Sequence, residues 1–125
     1  MDRAWIEANT TPIDDRTDYQ RKTLALSDTL IAEIEAADTL IIGLALYNFS
    51  IPASLKLWID LVCRTRKTFA YSEGKPKGLM TGKKAIVCFA SGRTPFGSDI
   101  DFASGYVRHI LGFIGITDVT FIAAD

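Results

Sequence analysis

Histidine and cysteine are scarce in this chain. It has one histidine, His109, and two cysteines, Cys63 and Cys88, in 125 residues. The usual zinc sites need four closely spaced His or Cys ligands, so they are excluded, and no local Cys–His pair exists. Two cysteines build no disulfide framework and read as buried thiols of a reducing cytosol. Long apolar runs are also missing. The longest, Leu40 to Leu46, is far shorter than the ~20 residues of a membrane span. Met1-Asp2-Arg3-Ala4-Trp5 lacks the apolar core of a secretory signal. Nine glycines and four prolines show no period, which excludes collagen-like and low-complexity classes. A net charge of -1 and a pI of 5.8 argue against a dedicated nucleic-acid binder.

What remains is ordinary globular usage: 48% hydrophobic, 10% aromatic and 23% charged. The length suits a single domain over residues 1–125, with a radius of gyration of roughly 14 Å. Charge is unevenly spread. Residues 1–38 hold nine acids against four bases, while residues 64–84 hold seven bases and only Glu73 as acid. The basic stretch reads either as a solvated loop face or as an attractor for an anion such as phosphate.

Residues 1–16 are polar and rich in turn formers, which predicts an irregular segment. Thr17-Asp18-Tyr19-Gln20 matches a capping box, and Leu24, Ile31 and Ile34 continue at helical spacing to about Ala37. Thr39 to Leu46 is apolar without alternation, the pattern of a strand buried on both faces of a parallel sheet. Ser50 is placed to cap a second helix, with Pro52 in its first turn and Leu55, Ile59 and Val62 on its apolar face. Residues 64–83 read as a long polar connection carrying Phe69 and Tyr71. One of those rings is expected to pack and the other to line a pocket. Lys84 to Ala90 is a second strand, and Phe102 to about Gly112 a third helix, stopped at Gly115. His109 lies on its partly exposed side. Asp118 to Ala123 is the last strand.

Helices alternating with strands predict right-handed crossovers and a parallel sheet, with ligands bound beyond the carboxyl ends of the strands. Two loops qualify and are expected side by side: Tyr47 to Ile51 and Ser91 to Gly97. The first reads as a tight turn or as a flat-ring site, with Asn48 and backbone amides as hydrogen-bond partners and Tyr47 and Phe49 as walls. The second reads as a mobile surface loop or as a site where Gly92 lets a ligand approach and Arg93 adds charge. No GxGxxG or P-loop spacing is present, and no paired carboxylates or Ser-His-Asp set stand out. Any catalysis therefore points to a bound cofactor.

Tyr47-Asn48-Phe49-Ser50-Ile51-Pro52, followed by Leu55-Lys56 and Asp60, resembles the Tyr-Asn-Phe-x-Ile-Pro segment of FMN-dependent NADH azoreductases, which are flavodoxin-like quinone and azo reductases. Thr68-Phe69-Ala70-Tyr71, Gly78-Leu79, Gly82-Lys83-Lys84-Ala85 and Leu111 to Val119 resemble the same family, from about residue 18 onward. The resemblance implies FMN as cofactor and NADH as electron donor, with two electrons passing by a ping-pong scheme to a quinone or azo compound. It implies that Leu46, Tyr47, Asn48 and Phe49 contact the flavin ring, and that Ala90, Ser91, Gly92 and Arg93 contact its polar edge. Tyr71 and Phe113 match substrate-side positions. No side chain is an essential acid or base, and no metal is implied. A cytoplasmic homodimer is the expected setting.

Departures from the family pattern stand at Ala45-Leu46 (usually Pro-Met), Arg93 (usually a second glycine) and Pro95 (often histidine). The resemblance also implies a partial flavodoxin-like three-layer fold shortened at both ends. It lacks the family's first two strands, the Ser-rich phosphate loop between them and the last helix. The phosphate of FMN would ordinarily sit at that loop. The alternative is a non-catalytic flavodoxin-like fragment stabilised by association that buries its open sheet edge or the family's dimer surface.

Overall fold

The computed structural model describes residues 1–125. Three parallel strands make the main sheet: β1 (Thr39–Ala45), β4 (Lys84–Ala90) and β5 (Asp118–Ala124), in the spatial order β1-β4-β5. Thr39 pairs with Lys84 and Ala45 with Ala90, and Lys84 pairs in turn with Asp118, so the three strands end together. Helices α3 (Ala25–Ala36), α4 (Ala53–Val62) and α5 (Ser104–Phe113) cover the sheet. This is the parallel α/β arrangement expected from the element order, and it agrees with the partial flavodoxin-like fold that the resemblance implies.

The strands depart from the expected burial on both faces. Leu40, Ile42 and Leu44 of β1 and Ala85, Val87 and Phe89 of β4 are buried, while Ile41 is 74% exposed and Ile122 of β5 is 58% exposed. The reason is topological. Both crossovers step the same way across the sheet, and with the right-handed connections that parallel strands adopt their helices land on one face. Ile31 and Ile34 of α3, Val62 of α4 and Val107 and Leu111 of α5 all join that single core. Cys88 stands on the uncovered face and is exposed, and Cys63 is half-buried, which corrects the expectation of two buried thiols.

The amino-terminal segment is helical rather than irregular. Helix α1 (Arg3–Thr10) is capped by Asp2, whose carboxylate accepts from the Trp5 amide at 2.9 Å, and a 3₁₀ turn follows at Ile13–Asp15. Arg16 closes α1 from outside it. Its Nε donates to the carbonyls of Ala8 at 2.9 Å and Thr11 at 3.0 Å, and its Nη2 to that of Asn9. Such a cap leaves no local pattern, and Ala8 is the only fully buried residue of α1.

The Thr17–Gln20 capping box forms as expected and starts α2 (Asp18–Thr23). The single helix expected from Thr17 to Ala37 instead bends at Leu24, between α2 and α3. Leu24 is wholly buried, so packing rather than a breaker residue sets the bend. At the other end of α3, Lys83 Nζ donates to the carbonyls of Glu35 and Ala37, at 2.9 and 2.7 Å.

Residues 64–83 are likewise more ordered than a polar connection. They contain the antiparallel hairpin β2 (Phe69–Ser72) and β3 (Lys75–Gly78). Glu73 and Gly74 at its tip both have positive φ, 53° and 76°, the geometry of the tight turns that suit strand twist. Arg64 is 1% exposed, so the first base of the stretch is a structural residue and not a loop-face charge.

Candidate functional site

The two loops singled out by pattern meet at the carboxyl ends of β1 and β4. The Leu46 amide donates to the Ala90 carbonyl at 2.9 Å, and the Ser91 amide to the Ala124 carbonyl at 3.1 Å. Leu46, Tyr47, Asn48 and Phe49 thus adjoin Ala90, Ser91, Gly92 and Arg93, as expected.

The first loop is a closed two-residue turn. Tyr47 and Ser50 exchange both backbone hydrogen bonds, at 2.9 and 3.0 Å. Asn48 and Phe49 at its tip have φ of 50° and 68°, a left-handed conformation that asparagine tolerates and phenylalanine seldom adopts. The turn takes up the backbone of Ser50, and α4 starts only at Ala53, so Ser50 lies too early in the chain to cap it. Helix α4 begins at Ala53 with Pro52 at its cap position and no side-chain cap. The Phe49 carbonyl accepts from the Phe102 amide at 3.0 Å and ties the turn to the segment leading into α5.

The tip faces solvent with its binding groups free. Tyr47 is 61% and Phe49 53% exposed. The amides of Asn48 and Phe49 donate to nothing within the chain, nor do those of Gly92 and Arg93. A Cβ built on Gly92 would meet nothing within 4 Å, so a ligand has clear approach to that backbone.

The second loop is pinned rather than mobile. Ser91 Oγ accepts from the Thr94 amide at 2.8 Å, and Thr94 is buried. The Phe96 ring packs edge-on against Phe89 at 5.3 Å and tilts against Phe121 at 5.2 Å. The Asp101 carboxylate accepts from the amides of Gly97, Ala103 and Ser104. Burial pushes the Asp101 pKa up, but these bonds and one from Ser104 Oγ outweigh it and hold the group below the usual carboxylate range.

A cavity of about 500 Å³ opens beside the first turn, lined by Ser50, Ile51, Ala53, Lys56, Phe102 and Tyr106. Phe102 and Tyr106 were not legible as site residues, because only the bond from Phe102 to Phe49 brings α5 against the turn. Lys56 binds both carboxylate oxygens of Asp60 at 2.7 Å, which raises its pKa. Desolvation raises the pKa of Tyr106.

Tyr71 and Phe113 do not join this site within one chain. Phe69, buried, packs on Phe113 at 4.6 Å and edge-on against exposed Tyr71 at 5.8 Å, so one ring packs and the other stands open. Helix α5 runs back from the carboxyl ends of the strands, and Phe113 lies at its far end. Ten residues of helix separate the two places by about 15 Å. His109 is exposed, and no three His, Cys, Asp or Glu cluster as metal ligands would.

Free backbone donors flanked by exposed aromatic rings stand at the carboxyl ends of adjacent parallel strands, the place where open α/β sheets bind their ligands. A family model described as "Flavodoxin-like fold" matches residues 1–125, and the chain belongs to that family. It is 64% identical over 125 residues to an FMN-dependent NADH:quinone oxidoreductase 1 of Jannaschia sp. (strain CCS1), covering 100% of this chain and 65% of the relative. It is 56% identical over 121 residues to the protein of the same name in Hahella chejuensis, covering 97% of this chain and 59% of that relative. The chain therefore spans roughly three fifths of the length of these relatives. Among solved structures, an azoreductase from Bacillus anthracis str. Sterne matches 98% of this chain and 62% of its own at 28% identity and a TM-score of 0.86. An FMN-dependent NADH-azoreductase from Bacillus anthracis str. Ames Ancestor, solved in complex with FMN, matches 98% of this chain and 61% of its own at 26% identity and a TM-score of 0.81. No helix of the chain is long and apolar enough to cross a membrane.

Proposed function

We propose that the chain carries the flavin-ring site of an FMN-dependent NADH:quinone or azo-compound oxidoreductase of the cytoplasm. The observation that carries this reading is the pairing of the two loops. Four unused amides, of Asn48, Phe49, Gly92 and Arg93, lie on adjoining loops beside the exposed rings of Tyr47 and Phe49. A flavin ring system is flat and apolar on its faces and rich in acceptors along one edge, and this donor set suits it. The fit concerns the ring system. The names of the relatives support the same cofactor and reaction.

Bound FMN would supply the two-electron redox chemistry between NADH and the acceptor, held by the residues of the two loops. The residues of the chain bind and orient. Leu46, Tyr47 and Phe49 offer apolar surface, the amides of Asn48, Phe49, Gly92 and Arg93 offer hydrogen bonds, and Arg93 adds positive charge at the edge. Ala90 and Ser91 fix the second loop at its strand. Tyr71 and Phe113 reach the same acceptor only across an interface between two copies, so the reading includes a homodimer.

Titration with FMN, followed by quenching of flavin fluorescence, tests the proposal. Saturable quenching is expected, and Tyr47→Ala with Phe49→Ala should weaken it about tenfold, the loss of roughly 1.4 kcal/mol of stacking. Absence of quenching at high FMN would overturn the reading.

A further inference from the structure

A second cavity, of about 460 Å³, lies at the opposite end of the molecule from the ring site. Its wall combines the end of α1 and the turn after it with Glu35 near the end of α3 and residues 64–67 after α4. Helices α3 and α4 both finish beside the amino ends of the strands, a strand length of roughly 20 Å from Tyr47 and Gly92.

Four cations line this cavity: Arg16, Arg64, Arg66 and Lys67. Arg64 is the buried base of the wall. Although 1% exposed, it spends only part of its donor fork. Its Nε donates to Asn9 Oδ1 at 3.2 Å, and its Nη1 to Ser27 Oγ at 3.0 Å and Asp28 Oδ1 at 2.5 Å. Nη2 makes no hydrogen bond within the chain, but with the residue 1% exposed the Arg64 guanidinium contributes positive charge from behind the wall rather than a contact surface.

Arg16 keeps Nη1 free while Nε and Nη2 hold the carbonyls of α1 and its turn. Desolvation, then repulsion from Arg64, lowers the Arg16 pKa against the opposing pull of Asp28. Arg66 is exposed and its side chain binds nothing. Lys67 reaches Asp28 at 3.7 Å. Two carboxylates answer the four cations: Glu35 on the wall, and Asp28 behind Arg64. The cavity keeps an excess of positive charge.

We infer that this cavity binds a small phosphorylated compound, with its phosphate on Arg66, Lys67 and the free Nη1 of Arg16, and with the buried charge of Arg64 behind them. Guanidinium forks match phosphate oxygens in pairs. The volume falls in the range of small-molecule sites, about 300–1,000 Å³, and has room for more than one phosphate group. No aromatic ring lines it, and the threonines at positions 10, 11 and 65 do, so the body of the ligand is polar rather than a flat heterocycle. The basic stretch of the sequence thereby gains a role that the ring site does not use.

Calorimetric titration of the flavin-free chain tests this with three probes: inorganic phosphate, pyrophosphate and glycerol phosphate, each at constant ionic strength set with chloride. Saturable binding of one equivalent is expected. Arg66→Gln with Lys67→Gln should weaken it at least about tenfold, as expected for loss of charge-assisted bonds. Both side chains lie outside the core, and thermal melting of the double variant checks that the fold is intact. Tighter binding of glycerol phosphate than of inorganic phosphate identifies an ester as the ligand, and the reverse order identifies free phosphate. No saturable heat with any probe, or equal affinity in the double variant, would overturn the inference. FMN quenching is read separately, so failure at one site is not confused with failure at the other.

Discussion

Gly78 and Gly115 pack backbone against backbone. A Cβ built on Gly78 would lie 2.1 Å from the Gly115 nitrogen and 2.4 Å from its Cα. Gly115 ends α5 with φ of +106°, and the Met80 amide donates to the Ile114 carbonyl at 2.7 Å beside it. The end of the hairpin is thus stitched to the end of α5. Gly78→Ala should destabilise the chain by about 3 kcal/mol, since the obstacle is main chain and cannot swing aside. Thermal unfolding should show a fall of roughly 10 °C. An unchanged midpoint would contradict the close approach.

Asp101 organises the loop that carries Gly92 and Arg93. Asp101→Ala removes the acceptor for Gly97, Ala103 and Ser104 and should cost about 1 kcal/mol at pH 7. Its folded pKa is depressed, so this contribution is present above the unfolded value near 4 and is lost as pH falls through the folded value. The stability gap between wild type and variant should therefore close in acid. Denaturant unfolding at pH 7 and pH 3 reads the difference.

Asp28 faces a buried cation. Asp28→Asn keeps the shape but leaves Arg64 without its counter-charge, and an uncompensated buried charge is strongly destabilising. Because Asp28 is itself 44% exposed, the expected loss is about 2 kcal/mol, below the range for fully buried pairs. Surface pairs such as Arg3–Glu7 should cost about 0.5 kcal/mol or less when broken. Urea unfolding of the two variants side by side tests the ranking.

The two thiols should react at very different rates. Burial pushes the Cys63 thiol up to about 11, whereas Cys88 is exposed on the uncovered sheet face. At pH 8 a disulfide reagent should modify one thiol per chain quickly, and Cys88→Ser should abolish that fast phase. The raised pKa of Cys63 contributes stability that is complete below its ordinary value of 9.0 and is lost as pH climbs through about 11. Cys63→Ala should flatten that alkaline loss.

The meeting of the two loops was legible because both follow apolar strands directly. Tyr47-Asn48-Phe49 and Ser91-Gly92-Arg93 needed only the rule that parallel strands end on one side. The left-handed φ of Phe49 was not legible, since no local preference favours it. It follows from the bonds that close the turn between Tyr47 and Ser50. The amino-terminal helix escaped notice because Arg16 caps it from outside.

The amino-acid sequence by itself determined the alternation of elements, the capping box at Thr17, the stop at Gly115 and the placement of the two loops. Each rests on local chemistry: apolar spacing, a hydroxyl three residues from an amide, or a residue without Cβ. Tertiary structure alone decided which face of the sheet is covered, where Tyr71 and Phe113 stand, and that Arg64 is buried. Those outcomes depend on the hand of the crossovers and on partners 36 and 55 residues away, Asp28 and Asn9, which no local pattern encodes.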